Sequence, residues 1–340
     1  MNSRLLFAAL TLLTASILTV DSSRGQGLVG GFGHYSRTAS ASIPDIGEYS
    51  ASLGFRKYIN SFTSYQFPDP EQPQLDPISR LEWPWEQTAG VVKLGYVTNG
   101  FGFGIDFAST LFLPSFLKAQ DSDWEDPNNP GQKTTFSEGK AKPRMWTFDG
   151  NVAVNIPSMT ILKAVAGYRA QQFSFTYTDV LQGTIWDEDT QTYRPVAVFD
   201  FLPGAVIEFT EYYKHWYGGG ILSAGLDLGL LAEALASWQL FLRFQGDYAY
   251  VKANNLDFHI LRTPGPRFTA ETTTGSSWHI NLTTELRLSE RFAFCLEGDF
   301  MRICTRGSHH WTEPGTDRSW DGAKVWSEQK YLTASGLLAF

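Results

Sequence analysis

The chain is short of the residues that build most soluble domains. Charged residues make up 18% of its 340 positions, there are two cysteines, and the 27 Lys and Arg are outnumbered by 35 Asp and Glu. A helix-rich soluble composition of about 25% charge is therefore disfavoured. The formal net charge of −8 argues against nucleic acid or an anionic membrane surface as the main partner, because an acidic field attracts neither, and it suits a cationic ligand better. Past the first twenty residues no apolar run approaches the roughly 20 residues of a spanning helix, and mean hydropathy is only −0.20. A helical membrane protein is excluded. Cys295 and Cys304 are nine apart in one predicted strand, on opposite faces and about 30 Å apart, too far for a disulfide. His309 and His310 fall in a predicted solvated loop with no clustered carboxylate or thiol, so no metal site is expected.

What the chain has in quantity is aromatic residues, at 15%, with 31 glycines and 11 tryptophans, a composition incompatible with disorder. The N-terminus has the three-part layout of a secretory leader: Arg4, an apolar stretch from Leu5 to Val20, and a polar segment with small residues near Ser23 and Gly25. The expected organisation is a signal peptide over 1–25, a periplasmic N-terminal segment over 26–47 and a β domain over 48–340. No cysteine follows the apolar run, so no lipid anchor is expected there.

From about Glu48 the apolar residues recur at every second position. Trp238, Leu240, Leu242, Phe244, Tyr248 and Tyr250 form one series, and Gln239, Arg243, Gln245 and Asp247 fill the other. That period of two marks strands. The pattern predicts strands near 48–64, 79–98, 101–113, 144–157, 159–178, 204–229, 238–260, 271–289, 291–305 and 324–340. Short connections such as Asn99-Gly100, a strong hairpin signal, Pro157-Ser158 and Ser289-Glu290 alternate with long ones, including 114–143 and 306–323. The predicted fold is all-β: a ten-stranded antiparallel transmembrane β-barrel, apolar outside and polar inside, with long extracellular loops. Inward Arg243, Asp247, Glu285, Arg287, Glu297 and Asp299 would fill a narrow lumen with paired charges. The C-terminal Phe340 resembles the aromatic terminus by which bacterial outer-membrane barrels engage their insertion machinery.

Two acidic features map to the long-loop end. Asp121 and Asp123 lie in the predicted loop after the third strand, and Asp257 and His259 share the inward series at the top of the seventh. A carboxylate beside an imidazole orients it and fixes its tautomer, leaving a general base poised near neutral pH. Two carboxylates sharing a dry site cannot both ionise freely. Across a barrel mouth these four groups would hold and deprotonate a water.

These segments carry a family resemblance. The chain resembles the omptins, ten-stranded outer-membrane proteases, over about 48–340, through Ser79-Arg-Leu-Glu-Trp83, Asp121-Ser-Asp123-Trp124-Glu-Asp126, Asn128-Asn-Pro130-Gly131, Ala166-Gly-Tyr168, Phe173-Ser-Phe175-Thr176 and Asp257-Phe-His259. The resemblance implies an outer-membrane aspartic-type endopeptidase, with its active site facing outside and without a covalent intermediate. Asp257 would orient His259 as base, and a water between His259 and the Asp121/Asp123 couple would attack a peptide or protein substrate. It also implies a substrate pocket near Asn255 and Phe62, where basic-specific members carry acids, so cleavage at dibasic sites is in doubt. A lipopolysaccharide requirement is in doubt too: of the Tyr-x-Glu-x-Arg pattern only Tyr168 is kept, with Ala170 and Gln172 in place of the charged pair. No other cofactor is expected, the remaining partner is outer-membrane lipid, and nothing demands more than a monomer. The alternatives are a catalytically silent barrel acting as adhesin or surface receptor and, third, a porin.

Overall fold

The computed structural model describes residues 47–340 except 99, 112–115, 158, 185, 188–191, 194–199, 231–236 and 262–264. The predicted leader and all of the periplasmic segment but Gly47 lie outside these residues, as do Asn99 and Ser158 of the predicted short turns.

The elements are β1 (Glu48–Tyr58), β2 (Phe62–Phe67), β3 (Ser79–Pro84), β4 (Thr88–Val97), β5 (Phe101–Thr110), β6 (Leu117–Asp123), β7 (Thr135–Ile156), β8 (Met159–Thr184), the small pair β9 (Trp186–Asp187) and β10 (Thr192–Tyr193), β11 (Asp200–Asp227), a 3-10 turn (Leu228–Leu230), β12 (Gln239–His259), β13 (Arg267–Arg287), β14 (Phe292–Glu313) and β15 (Thr316–Ala339). Antiparallel pairing runs β1-β4-β5-β7-β8-β11-β12-β13-β14-β15, and β15 returns to β1. The ring closes with ten staves because β2, β3 and β6 continue the first three upward between β15 and β7. Closure leaves no unpaired edge through the main ring; even the C-terminal residue is held, Phe340 N donating to Tyr49 O at 2.9 Å.

The exterior explains why these residues make strands. Leu53, Val92, Leu94, Val152, Val154, Leu222, Phe244, Ile280, Leu282, Leu296 and Leu332 are exposed on it, a band that is stable only against lipid. Above it runs an aromatic row, Tyr168 to Trp216 at 5.6 Å and Trp216 to Tyr250 at 5.9 Å. From Leu240 to Tyr250, ten residues at a rise of about 3.3 Å and a tilt of about 40° cover roughly 25 Å, the height of such a band. The staves extend well beyond it.

Inside the band the lumen is ionic. Arg56 pairs with Asp106 at 2.7 Å, Lys93 with Glu297 at 2.5 Å, Arg169 with Asp149 at 2.7 Å and Arg287 with Glu285 at 2.7 Å. His279 sits between Asp247 and Asp299, and Arg243 donates to Thr283 at 3.3 Å. The inward charges expected from the sequence are thus paired or hydrogen-bonded around a cavity of about 140 Å³. Cys295 is buried and Cys304 exposed, both as free thiols.

Several expectations for the outer half are corrected. The fourth strand begins at Thr135 rather than near 144, the ninth runs to Glu313 rather than 305, and the tenth begins at Thr316. The long connection expected over 306–323 is therefore a tight hairpin closed by the Glu313–Thr316 pair. His309, expected in a solvated loop, is on β14 and fully buried. Asp121 and Asp123, also expected in a loop, lie on β6 between β3 and β7. Above the lipid band the outer wall no longer has to be apolar, so the hydrophobic alternation that reveals a strand fades although the ladder continues.

Candidate active site

The upper half of β12 alternates strictly, with Ala253, Asn255, Asp257 and His259 inward and buried and Lys252 and Leu256 outward. His259 Nε2 lies 2.9 Å from Asp257 Oδ2. With the carboxylate accepting from Nε2–H, the neutral ring presents its Nδ1 lone pair to the mouth, a tautomer assigned from the hydrogen bond. Asp257 lies seven residues beyond Tyr250, roughly 18 Å above the aromatic row at the same rise and tilt.

The facing wall is β6. In register across it and its neighbours stand Tyr65 on β2, Leu81 on β3, Asp121 on β6 and Ser137 on β7. Asp121 is buried and Asp123 half-buried one step higher. The loop after them is built rather than loose: Asp126 accepts from Asn128 N at 2.9 Å and Asn129 Nδ2 at 2.8 Å, and Thr134 N donates to Asp123 O at 2.8 Å. Trp124 packs beneath Arg80 and Lys133, each 5.5 Å from its ring. Much of the Asp-Trp-Glu-Asp and Asn-Asn-Pro-Gly signature thus serves to fix the strand end that carries Asp121 and Asp123.

Tyr65 joins the two walls. Its hydroxyl donates to Asp257 Oδ2, the oxygen already bonded to His259. Burial, and the carboxylates of Asp257, Glu271 and Asp121, hold its phenol well above the ordinary range, so it stays a donor. Around it Phe209, Trp83 and Phe175 stack: Tyr65 to Phe209 at 5.5 Å, Trp83 to Phe209 at 5.2 Å and Trp83 to Phe175 at 5.3 Å.

Below the pair, Asn255 is flanked in register by Glu211 on β11 and Glu271 on β13. Glu211 Oε2 accepts from Thr63 Oγ1 at 2.6 Å, and burial pushes its carboxyl up to about 8. Glu271 is 2.5 Å from His309 Nδ1, under Phe67 stacked at 4.0 Å. Burial drives this pair toward its neutral forms, raising Glu271 and pulling His309 down to about 3. Both amide atoms of Asn255 lack a hydrogen-bond partner among the described residues.

Of the residues expected at the site, Asp257 and His259 are hydrogen-bonded, Asp121 and Asp123 share a strand on the other wall, and Asn255 lies just below. Phe62 is half-buried, and its neighbour Thr63 makes the inward contact with Glu211. Tyr168 faces outward beside Trp216 in the aromatic row. Tyr65, Glu211, Glu271 and His309 were not anticipated. The signal for Tyr65 is the inward series Thr63, Tyr65, Phe67, which is visible only once the break before β2 is known; Glu211, Glu271 and His309 stand on β11, β13 and β14. Among the described residues no three His, Cys, Asp or Glu side chains are grouped to hold a metal.

No protein-family model matches the chain, and no curated protein sequence does. In structure it is similar to the outer membrane protease OmpT from Escherichia coli, with a TM-score of 0.74 at 18% identity, covering 88% of this chain and 99% of that one. The translocator domain of the autotransporter NalP from Neisseria meningitidis reaches a TM-score of 0.31 at 6% identity, over 84% of this chain and 88% of its own. A Pseudomonas aeruginosa FadL homologue reaches 0.30 at 7% identity, over 86% and 90%. The chain therefore has the ten-stranded barrel fold of OmpT.

Proposed function

We propose that the chain is an outer-membrane endopeptidase of the omptin type, opening peptide bonds at the cell surface. The observation that carries this is the Asp257–His259 hydrogen bond of 2.9 Å, turned into the barrel mouth opposite Asp121 and Asp123 in a fold shared with an outer membrane protease. His259 Nδ1 takes a proton from a water held toward the Asp121/Asp123 couple, and the water oxygen adds to the scissile carbonyl carbon. The Asp257 carboxylate stabilises the imidazolium so formed. As the C–N bond breaks, that proton passes to the departing amine, leaving a carboxylic acid product and a regenerated base.

The pocket below is a reason not to expect ready cleavage between basic residues. Asn255 is neutral, and burial keeps Glu211 protonated near neutral pH, so a cationic side chain would have to draw that proton away before gaining an ion pair. A large or neutral polar side chain needs no such step.

Lipid contact is proposed on the outer wall. Ala170 and Gln172 supply no charge, but Lys214 is directly beside Ala170 and beside Lys252, and both lysines are exposed and outward just above the aromatic row. Lipopolysaccharide phosphates fit such a pair. The leader over 1–25, insertion through Phe340 and a monomeric state belong to the same proposal.

The test is cleavage of a random peptide library by the refolded barrel, with and without lipopolysaccharide. His259→Ala and Asp257→Ala should each lose roughly 100-fold or more in kcat/KM. A folded wild type that cleaves nothing in either lipid condition would sink the reading.

A further inference from the structure

We infer that Tyr65 is a positioning residue for this reaction, holding the Asp257 carboxylate from across the lumen and setting how strongly it acts on His259. The inference rests on Asp257 and His259 being the base pair proposed above.

Three observations carry it. The first is that a single oxygen is shared: Tyr65 Oη and His259 Nε2 both bond Asp257 Oδ2, while Oδ1 has no hydrogen-bond partner among the described residues. Two donors on one carboxylate oxygen compete, because each draws charge the other would use. The second is that the donor is rigid. The Tyr65 ring lies parallel to Phe209, 2° between planes, and Phe209 is the residue in register with Asp257 on the neighbouring strand. Trp83 and Phe175 back that ring, so the hydroxyl cannot follow a shifting carboxylate without unpacking fully buried aromatics. The third is origin. Tyr65 comes from β2, two strands from Asp121 through Leu81, so its bond fixes the dyad relative to the wall that carries the acid couple. A base and the group that helps hold its water must keep their separation to a fraction of an ångström.

Glu211 on β11, Arg267 and Glu271 on β13, His309 on β14 and Asp121 on β6 also face this region, and none changes in the variants below. Tyr65→Phe removes one oxygen and keeps the ring. Without its second donor, Asp257 is less fixed and places more negative charge against the imidazole.

The experiment compares wild type, Tyr65→Phe and a barrel carrying 3,5-difluorotyrosine at position 65, whose more acidic hydroxyl is a stronger donor of similar shape. kcat and KM are measured on one cleaved peptide over about pH 5 to 9, and the His259 ring is titrated by NMR with 13C-labelled histidine, assigned against His259→Ala. Tyr65→Phe should lower kcat roughly 10-fold with KM within about twofold. It should also move the acid limb of the profile and the His259 midpoint upward by about half a unit, and the difluorotyrosine barrel should move both downward. Unchanged profiles and midpoints, or shifts of the same sign in both variants, would overturn the role of Tyr65. Should Tyr65→Phe not fold, the difluorotyrosine barrel still decides by the sign of its shift. Should a folded wild type cleave no peptide, the hydrolase reading fails while the His259 titration still tests Tyr65.

Discussion

Burying a carboxyl without a cation makes stability a function of pH, and Glu211 is such a group. It is fully buried, its hydrogen bonds come from hydroxyls, and among the described residues no cation pairs with it. Its carboxyl, ordinarily near 4.5, is pushed up to about 8 by burial. Between those values the folded chain binds a proton that the unfolded chain releases, so the contribution is fully present below about pH 4.5 and is lost as pH rises through 8. Glu211→Gln keeps the shape and removes the titration. The variant should match wild type in denaturant midpoint at pH 4 and exceed it at pH 9, by an amount on the order of a few kcal/mol. Equal midpoints at both pH values, in the same detergent, would show that the carboxyl is ionised or hydrated in the fold. The site is legible at this scale in part. Asp257 and His259 declare themselves by their i, i+2 spacing on an alternating strand, whereas Tyr65 does not. β1 turns even-numbered residues inward, from Ser52 to Tyr58, and β2 turns odd-numbered ones inward. The change of phase occurs at Ile59–Ser61, where Asn60 adopts φ 45°, a backbone state open to Asn but not announced by it.

Strands obey different rules below and above the aromatic row, and the difference decides what a sequence reveals. Within the lipid band every outward position must be apolar, so ten staves show as alternation. Past it, β7 begins Thr-Phe-Ser-Glu-Gly-Lys and β6 reads Leu-Lys-Ala-Gln-Asp-Ser-Asp, mixtures that resemble loops although the two strands are paired in a ladder and joined by Lys118 and Glu138 at 2.6 Å. The same boundary concentrates cations. Lys214 on β11 faces Lys252 on β12, Lys252 faces Thr274 on β13, and Thr274 faces Arg306 on β14, with all four side chains exposed. Like charges directly opposite on paired strands repel, and an anionic headgroup seated between them would remove that cost. If lipopolysaccharide activates the barrel, Lys214→Ala with Lys252→Ala should raise the lipid concentration needed for half-activation about 30-fold, at about 1 kcal/mol for each lysine. An activation curve that does not move would place the lipid elsewhere on the wall.

For the whole molecule the question is whether the barrel is also a pore, since a closed ring of ten staves has a lumen by construction. Two layers fill it. Toward the membrane, Arg56, Lys93, Asp106, Asp149, Arg169, His279 and Asp299 are tied by ion pairs. Such pairs need not stabilise the fold, but each side chain is committed to a partner inside the channel. Nearer the mouth, Trp83, Trp85, Phe173, Phe175, Tyr177 and Phe209 are all buried, each no more than 2% exposed, and their rings contact one another. An ion crossing this aromatic layer would lose hydration that the packed rings do not replace. The plug also gives the site its rigidity, because Phe209 and Trp83 support Tyr65 and hence the dyad. Planar bilayers containing the refolded wild type should therefore show no single-channel steps under an applied voltage. Trp83→Ala with Phe209→Ala should destabilise the barrel by roughly 3–5 kcal/mol per ring and lower peptide cleavage with it. Steady conductance in the wild type would mean that the aromatic layer opens, and a layer that opens cannot hold Tyr65 against Asp257. Channel recordings on the unmodified protein thus bear on the proposed catalysis as directly as on transport.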